Sequence, residues 1–378
     1  MRIAVINRVF SRAGGGAESY SVALVQELAA RHEIHVFAQE SNRPVAGVHY
    51  HPVFCLSRKP RWINQLLFAL ATWWQTRTGF DVVHSHENTW HGQIQTVHVR
   101  PLRYNLLHGR VGGQRALRWL KVALSPRLMT YVWLEGARFK PVPGRQVIAT
   151  SDTLRDECVQ AYPASRGSLS VVTPGTHLQQ DRLTRAAARR QLDLPAQGPL
   201  LLFVANDYAR KGLDTLLKAL ALLPSPIQLM VVGNPAPIPR YRALAERLGV
   251  LPRVHFLGSR SDLTSVYRAA DGLVHPTLED SFAMVVLEAM AHGLPVVVSG
   301  PAHCGISRQL QDGVQALLLQ DPRDADALSR RIGELLGAPA LAQTLCQQAL
   351  VFAQAHSWEQ AALQYERLYQ QVVSCTAS

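Results

Sequence analysis

Asp280 and Glu288 stand eight residues apart in Thr277-Leu-Glu-Asp-Ser-Phe-Ala-Met-Val-Val-Leu-Glu-Ala-Met-Ala291. The stretch follows a short apolar run ending in His275-Pro276 and precedes Gly293-Leu-Pro-Val-Val-Val-Ser-Gly300. That order reads strand, loop, helix, strand. With a helix beginning near Ser281, the amides of Phe282, Ala283 and Met284 have no partner within the helix and can receive an anion. Glu288 then sits about two turns in, where a carboxylate can accept hydrogen bonds from a ribose diol. The plainer alternatives are an N-cap for Asp280 and a surface carboxylate for Glu288. Val285, Val286, Leu287, Ala289 and Met290 surround Glu288 with apolar residues, which argues against full exposure.

Two adjacent cations, Arg210 and Lys211, precede Gly212 and another helical stretch. Cations at a helix start oppose the helix dipole, a placement that a neighbouring phosphate would offset. A solvated surface pair is the simpler reading. Near the N-terminus, residues 3–6 form an apolar run followed by Gly14-Gly15-Gly16 and helical spacing over residues 17–30. Gly15 and Gly16 would let backbone amides approach a phosphate or sugar, although a ligand-free tight turn fits the same residues. His84, His86 and His98 fall at or just after strand ends, the edge that faces ligands in parallel α/β sheets. A lone histidine there is more often structural.

The elements that must position these residues are strands alternating with helices. Strand-like runs fall at residues 3–6, 34–38, 48–53, 82–84, 94–99, 147–150 and 169–172, then at 200–204, 227–232, 254–257, 273–275, 296–298 and 316–319. Continuous apolar runs of this length suit parallel strands buried on both faces. Alternation with helices predicts doubly wound sheets. At 378 residues two domains are expected. The expected class is α/β, with two Rossmann-like domains facing a central cleft. Residues 1–175 form the first domain and 176–356 the second. Residues 357–378 form a last helix crossing back to the first.

Hydrophobic residues make up 47% and charged residues 17%, which excludes a disordered chain. The five cysteines are widely spaced with no C-x-x-C, so neither a disulfide framework nor a zinc site is expected, and no metal-ligand cluster is evident. No uncharged apolar run reaches transmembrane length. Lys and Arg outnumber Asp and Glu by 39 to 27, a net charge of +12 that suits an anionic partner. Residues 88–134 contain no acid but hold Arg100, Arg103, Arg110, Arg115, Arg118, Lys121 and Arg127 among leucines, with Trp119. Apolar residues at helical spacing over 114–124, with cations between them, predict an interfacial helix on anionic lipid. A solvated basic face on a packed helix is the alternative. No nucleic-acid module is present.

With these residues in view, the chain resembles the family 4 glycosyltransferases of the GT-B fold over nearly its whole length. Glu279-Asp-Ser-Phe-Ala-Met-Val-Val-Leu-Glu288 and the Gly-x-Pro-Val-Val strand after it carry the likeness. Asn206-Asp-Tyr-Ala-Arg-Lys-Gly212, Arg253-Val-His-Phe256 and Cys304-Gly305 place it near the branch that builds the lipopolysaccharide core. The acid-free basic segment resembles that branch's membrane-binding region. The resemblance implies a retaining, metal-independent hexosyltransferase that uses a nucleotide sugar, UDP-glucose, as co-substrate, with no cofactor. It implies a membrane-anchored glycolipid acceptor in the heptose region of the core, and a cytoplasmic location at the inner face of the membrane. Gly15 and Gly16 match its donor-side glycine loop. His98 matches a histidine near the reacting sugar, Arg210 and Lys211 the diphosphate clamp, and Glu288 the ribose carboxylate. Asp280 occupies the first carboxylate position, one methylene shorter than the usual Glu, and Glu279 beside it could serve instead. Ala283 stands where the family has Gly, and Asn206 where many relatives have Arg. A transferase acting on a lipid-diphosphate acceptor in capsule or exopolysaccharide synthesis, a GT-B epimerase or hydrolase, and a catalytically silent membrane scaffold are the competing readings. Calorimetry with UDP separates the last.

Overall fold

Each of the thirteen strand-like runs forms a strand in the computed structural model, with bounds within two residues of those expected. The structure describes residues 1–11, 16–55, 59–178, 183–260 and 262–377. The strands in chain order are β1 (Arg2–Ile6), β2 (Val9–Phe10), β3 (Glu33–Ala38), β4 (Glu40–Ser41), β5 (His49–Pro52), β6 (Val82–Ser85), β7 (Ile94–Val97), β8 (Gln146–Ala149) and β9 (Leu169–Val171). They continue with β10 (Leu200–Ala205), β11 (Gln228–Gly233), β12 (Val254–Gly258), β13 (Gly272–His275), β14 (Val296–Ser299) and β15 (Leu317–Leu319).

The chain divides into two compact units, Met1–Pro174 with Trp358–Ser378, and Gly175–Ser357. The first holds a seven-stranded sheet in the order β5-β3-β1-β6-β7-β8-β9. The second holds a six-stranded sheet in the order β12-β11-β10-β13-β14-β15. Every pairing is parallel. The short β2 and β4 pair with each other as a separate ribbon. These are two Rossmann-like α/β sheets, the GT-B architecture.

Parallel strands covered on both faces need apolar side chains on both sides of the pleat. Leu200 to Phe203 are no more than 2% exposed, and Val296 to Val298 are fully buried, which meets that demand. In each sheet the order reverses once, between β1 and β6 and between β10 and β13. Parallel α/β sheets bind ligands in the crevice at the carboxyl ends of the strands flanking such a reversal.

The last helix, Trp358–Ala377, belongs to the first unit. Tyr365 and Tyr369 are fully buried, and Trp358 stacks edge-on against Tyr20 at 5.0 Å. The Tyr365 hydroxyl lies 2.9 Å from the Tyr20 hydroxyl and 2.8 Å from Thr96 Oγ1, and the Tyr369 hydroxyl lies 2.8 Å from His84 Nδ1. An amphipathic helix at the end of a chain stays docked when its buried polar atoms are paired in this way.

Candidate active site

The second unit's reversal point gathers Arg210, Lys211, Glu279, Asp280 and the start of the helix Met284–Ala291. Arg210 and Lys211 come from the loop after β10, and Glu279 and Asp280 from the loop after β13. Backbone contact fixes the two loops together. Leu278 N–H donates to the Arg210 carbonyl at 2.9 Å. Gly212 has φ +84°, and a Cβ there would lie 1.9 Å from the Pro276 carbonyl oxygen. Only glycine permits that approach in that conformation.

Asp280 is the hub. Its Oδ2 receives Lys211 Nζ at 2.5 Å and lies 3.2 Å from His275 Nε2. Its Oδ1 accepts from Ala283 N at 2.9 Å and Phe282 N at 3.3 Å. A carboxylate offers about four lone-pair sites, and these four donors fill them. Hydrogen bonds from His275 and Lys211 and the charge of Lys211 hold the Asp280 carboxyl well below its usual range, against the opposing effect of burial. Burial lowers His275, so its neutral ring donates Nε2–H to Asp280. His275 Nδ1 is buried without a partner.

The helix starts three residues later than the spacing predicts. Ala283 is its N-cap, with φ +74° and ψ +70°, and Met284 its first residue. This is the left-handed region that glycine tolerates and alanine occupies at a cost. The amides of Phe282 and Ala283, expected to be open to an anion, instead close onto Asp280, and the Phe282 side chain is buried in the second unit's core. The helix's open end therefore begins at Met284 and Val285.

The cations are also paired. Arg210 Nη2 reaches Glu279 Oε1 at 3.1 Å, and Lys211 Nζ donates to the Glu279 carbonyl at 3.0 Å. Arg210 and Glu279 remain 46% and 34% exposed, so this pair is open to exchange, whereas Lys211 and Asp280 are mostly enclosed. Glu288 accepts from the Tyr267 hydroxyl at 2.7 Å, and burial pushes its carboxyl above the usual range.

In the first unit Gly15 lies outside the described residues, and Gly16 opens the helix Gly16–Leu28. His84 is a satisfied core histidine between Tyr369 and Thr96. His98 Nε2 lies 3.0 Å from His86 Nδ1, and its ring meets Tyr20 edge-on at 4.9 Å. Burial and the nearby Arg138 push His98 down to about 3, so it is neutral near pH 7.

The basic segment divides in two. Arg100 pairs with Glu157 and lies 5.3 Å from the Tyr104 ring centroid, and Arg103 lies 5.0 Å from the Tyr162 ring. Arg110 Nη1 donates to the carbonyls of Asn105 and Leu106. Of these three expected lipid contacts, Arg100 is engaged by Glu157, an acid from beyond the segment, Arg103 by the Tyr162 ring, and Arg110 by carbonyls of the segment itself. Glu135 accepts the amides of Leu102 and Arg103. Arg115, Arg118, Trp119 and Lys121 lie on the helix Gly113–Ala123, where only Val122 is buried. Leu117, Leu120 and Leu124 are 67%, 55% and 75% exposed and share one side of that helix and its C-cap. With Arg118 and Lys121 they line a groove of about 820 Å³. No single described helix is long and apolar enough to cross a membrane.

Sequence reasoning passed over His275 and Tyr267. The signal for His275 was available: a polar residue closing an apolar strand at the carboxyl edge, five residues before Asp280. Nothing in the sequence marks Tyr267 as the partner of Glu288.

Residues 184–350 match the family described as glycosyl transferases group 1, and residues 14–180 match Glycosyltransferase Family 4. A D-inositol 3-phosphate glycosyltransferase from Xylanimonas cellulosilytica is 31% identical over 77% of this chain and 72% of its own length. The lipopolysaccharide glucosyltransferase WaaG of Escherichia coli is 29% identical over 61% of this chain and 63% of its own. A crystal structure of WaaG, described as a glycosyltransferase involved in lipopolysaccharide biosynthesis, superposes with a TM-score of 0.82 and 22% identity, covering 98% of this chain and 99% of that one. The chain belongs to the GT-B glycosyltransferases of the family 4 type, and it is a transferase related to both WaaG and the inositol phosphate enzymes.

Proposed function

We propose that this transferase moves glucose from UDP-glucose to the heptose region of a membrane-anchored, phosphorylated lipopolysaccharide core, with retention and without a metal. The observation that carries the donor reading is the pairing of Arg210 and Lys211 with Glu279 and Asp280 beside the open end of Met284–Ala291. As the bond from the sugar C1 to the diphosphate breaks, negative charge grows on the leaving diphosphate. Arg210, Lys211 and the Met284 amide stabilise that charge in place. The acceptor hydroxyl attacks C1 from the side the diphosphate leaves, and its proton passes to a diphosphate oxygen.

Asp280, with its lone pairs filled, acts as a positioning residue for Lys211 and the Ala283 turn. Glu279, a third exposed in its pair with Arg210, is the carboxylate that exchanges partners. The donor diphosphate draws Arg210 away, and Glu279 then accepts hydroxyls of the donor sugar. Glu288, oriented by Tyr267, accepts the ribose diol. His98, held neutral, offers a hydrogen bond to the reacting sugar rather than a proton. The acceptor reading rests on the exposed leucines and cations of Gly113–Ala123, which suit an anionic membrane at the cytoplasmic face.

A donor screen read by product mass, with delipidated core oligosaccharide and inositol 3-phosphate as rival acceptors, tests the reading. UDP-glucose with the core acceptor should give a hexose adduct, and transfer only to inositol 3-phosphate would sink it. Glu288→Ala should lose UDP binding in calorimetry and transfer together. Full activity in that variant would remove Glu288 from the donor site.

A further inference from the structure

The edge of the first unit's sheet carries a side-chain cluster that glycosyl transfer does not use. β3 begins Glu33-Ile-His35 and β5 begins His49-Tyr-His51, and the register sets His35 opposite His49 and Phe37 opposite His51. Side chains two apart on a strand share a face. Two dipeptide-spaced pairs on neighbouring parallel strands therefore converge. One ligand atom each from Glu33, His35 and His49 lies within 4.8 Å of the others.

We propose that Glu33, His35 and His49 form a transition-metal site, of the zinc class, that ties the edge strand β5 to β3. Two imidazoles and a carboxylate are a ligand set that binds zinc, with ligand atoms about 2.0 to 2.2 Å from the ion. Reaching that distance requires the cluster to contract. Glu33 and His49 are both exposed and can rotate inward onto His35, which is only 5% exposed and fixed. His35 is already oriented as a ligand. Its Nε2 faces Glu33 Oε1 at 2.9 Å, and its Nδ1 faces His51 Nε2 at 2.8 Å. A metal at Nε2 takes the place of that contact, and Nδ1–H then donates to His51. An imidazole bound at one nitrogen is characteristically held by a hydrogen bond at the other. His51 Nε2 stands in place to accept that hydrogen bond.

Arg2 is the opposing group. Its Nε donates to Glu33 Oε1 at 2.9 Å and its Nη1 to the Gly79 carbonyl at 3.2 Å. A bound metal uses the other carboxylate oxygen or displaces this half-exposed guanidinium. The ion here is structural, and the proposed transfer remains metal-independent.

The test uses untagged full-length protein, with Co2+ and Zn2+ as probes near pH 7.5. One equivalent of Co2+ should bind with the visible spectrum of a nitrogen-ligated ion, and Zn2+ should displace it and raise the unfolding midpoint. His35 is buried and its replacement risks the fold, so Glu33→Gln and His49→Ala carry the test. Each should weaken binding at least about tenfold and abolish the thermal shift, while His51→Ala should weaken binding by roughly ten- to a hundredfold at unchanged stoichiometry. The chain has 15 histidines, so Co2+ binding that survives in the Glu33→Gln/His49→Ala double variant places the metal elsewhere and overturns the proposal.

Discussion

Asp280 shows how one residue can organise a site without holding a free lone pair. Its four donors come from the loop after β10, the end of β13 and the turn into the following helix. Because its folded carboxyl lies well below the ordinary value, it stabilises the fold above about pH 4, and that contribution fades as pH falls through the folded value. Asp280→Asn should therefore cost roughly 2 kcal/mol near neutral pH. The deficit against the parent protein, followed by urea unfolding from pH 7 to pH 3, should shrink at the acid end; a constant deficit would mean that charge contributes nothing. Ala283 predicts the opposite sign. Alanine to glycine in a helix costs stability, but at φ +74° glycine removes the left-handed penalty. Ala283→Gly should leave stability unchanged or raise it by up to about 1 kcal/mol. A loss of more than about 1 kcal/mol would show that burial of the methyl group outweighs backbone strain.

At the scale of elements, the first unit depends on histidines that stay neutral. Burial holds His84 and His98 at about 3 and His86 well below its usual value, and His84 bridges β6 to the C-terminal helix through Tyr369. The unfolded chain protonates these rings below about pH 6.5 and the folded one does not, so stability falls as pH drops beneath that value. Each such ring contributes a slope of about 1.4 kcal/mol per pH unit until its folded value is reached. Thermal melts between pH 7.5 and pH 5 should show the loss, and His84→Gln should flatten the slope while lowering stability throughout. Tyr369→Phe leaves His84 Nδ1 buried without its partner, which should cost about 1 to 3 kcal/mol; a neutral result would mean the helix docks on apolar contacts alone. The central strands and their order of succession were legible in the sequence because burial on both faces writes itself as continuous apolar runs, as in β10 and β14. The helix start was not. The spacing predicts a start near Ser281, but Asp280 captures the amides of Phe282 and Ala283, and Ala283 turns the chain. The cluster of Glu33, His35 and His49 was equally hidden, because strand pairing rather than sequence spacing brings it together. Arg100 gave no sign that Glu157, 57 residues on, would claim it.

Across the whole molecule, the charge of +12 is a long-range term, and the helix Gly113–Ala123 is where it meets exposed apolar surface. Arg115, Arg118 and Lys121 belong to that helix, while Arg100 and Arg103 are held by the fold, so substitutions in the two groups should behave differently. Each cation close to an anionic bilayer contributes on the order of 1 kcal/mol. The Arg115→Gln/Arg118→Gln/Lys121→Gln variant should therefore lose roughly a hundredfold in affinity for phosphatidylglycerol vesicles, with a shallower salt dependence. Transfer to a delipidated acceptor should be unchanged, because none of the three is among the residues assigned to the donor site. Arg100→Gln should instead lower the thermal midpoint through the loss of its partly buried pair with Glu157, with little effect on vesicle affinity. Leu117→Ser/Leu120→Ser should weaken binding at every salt concentration, since the apolar contribution is not screened. Vesicle sedimentation at low and high salt separates these outcomes. Equal binding of the parent protein to neutral and anionic vesicles at low salt would end the electrostatic docking reading and leave the leucines to explain any binding that remained.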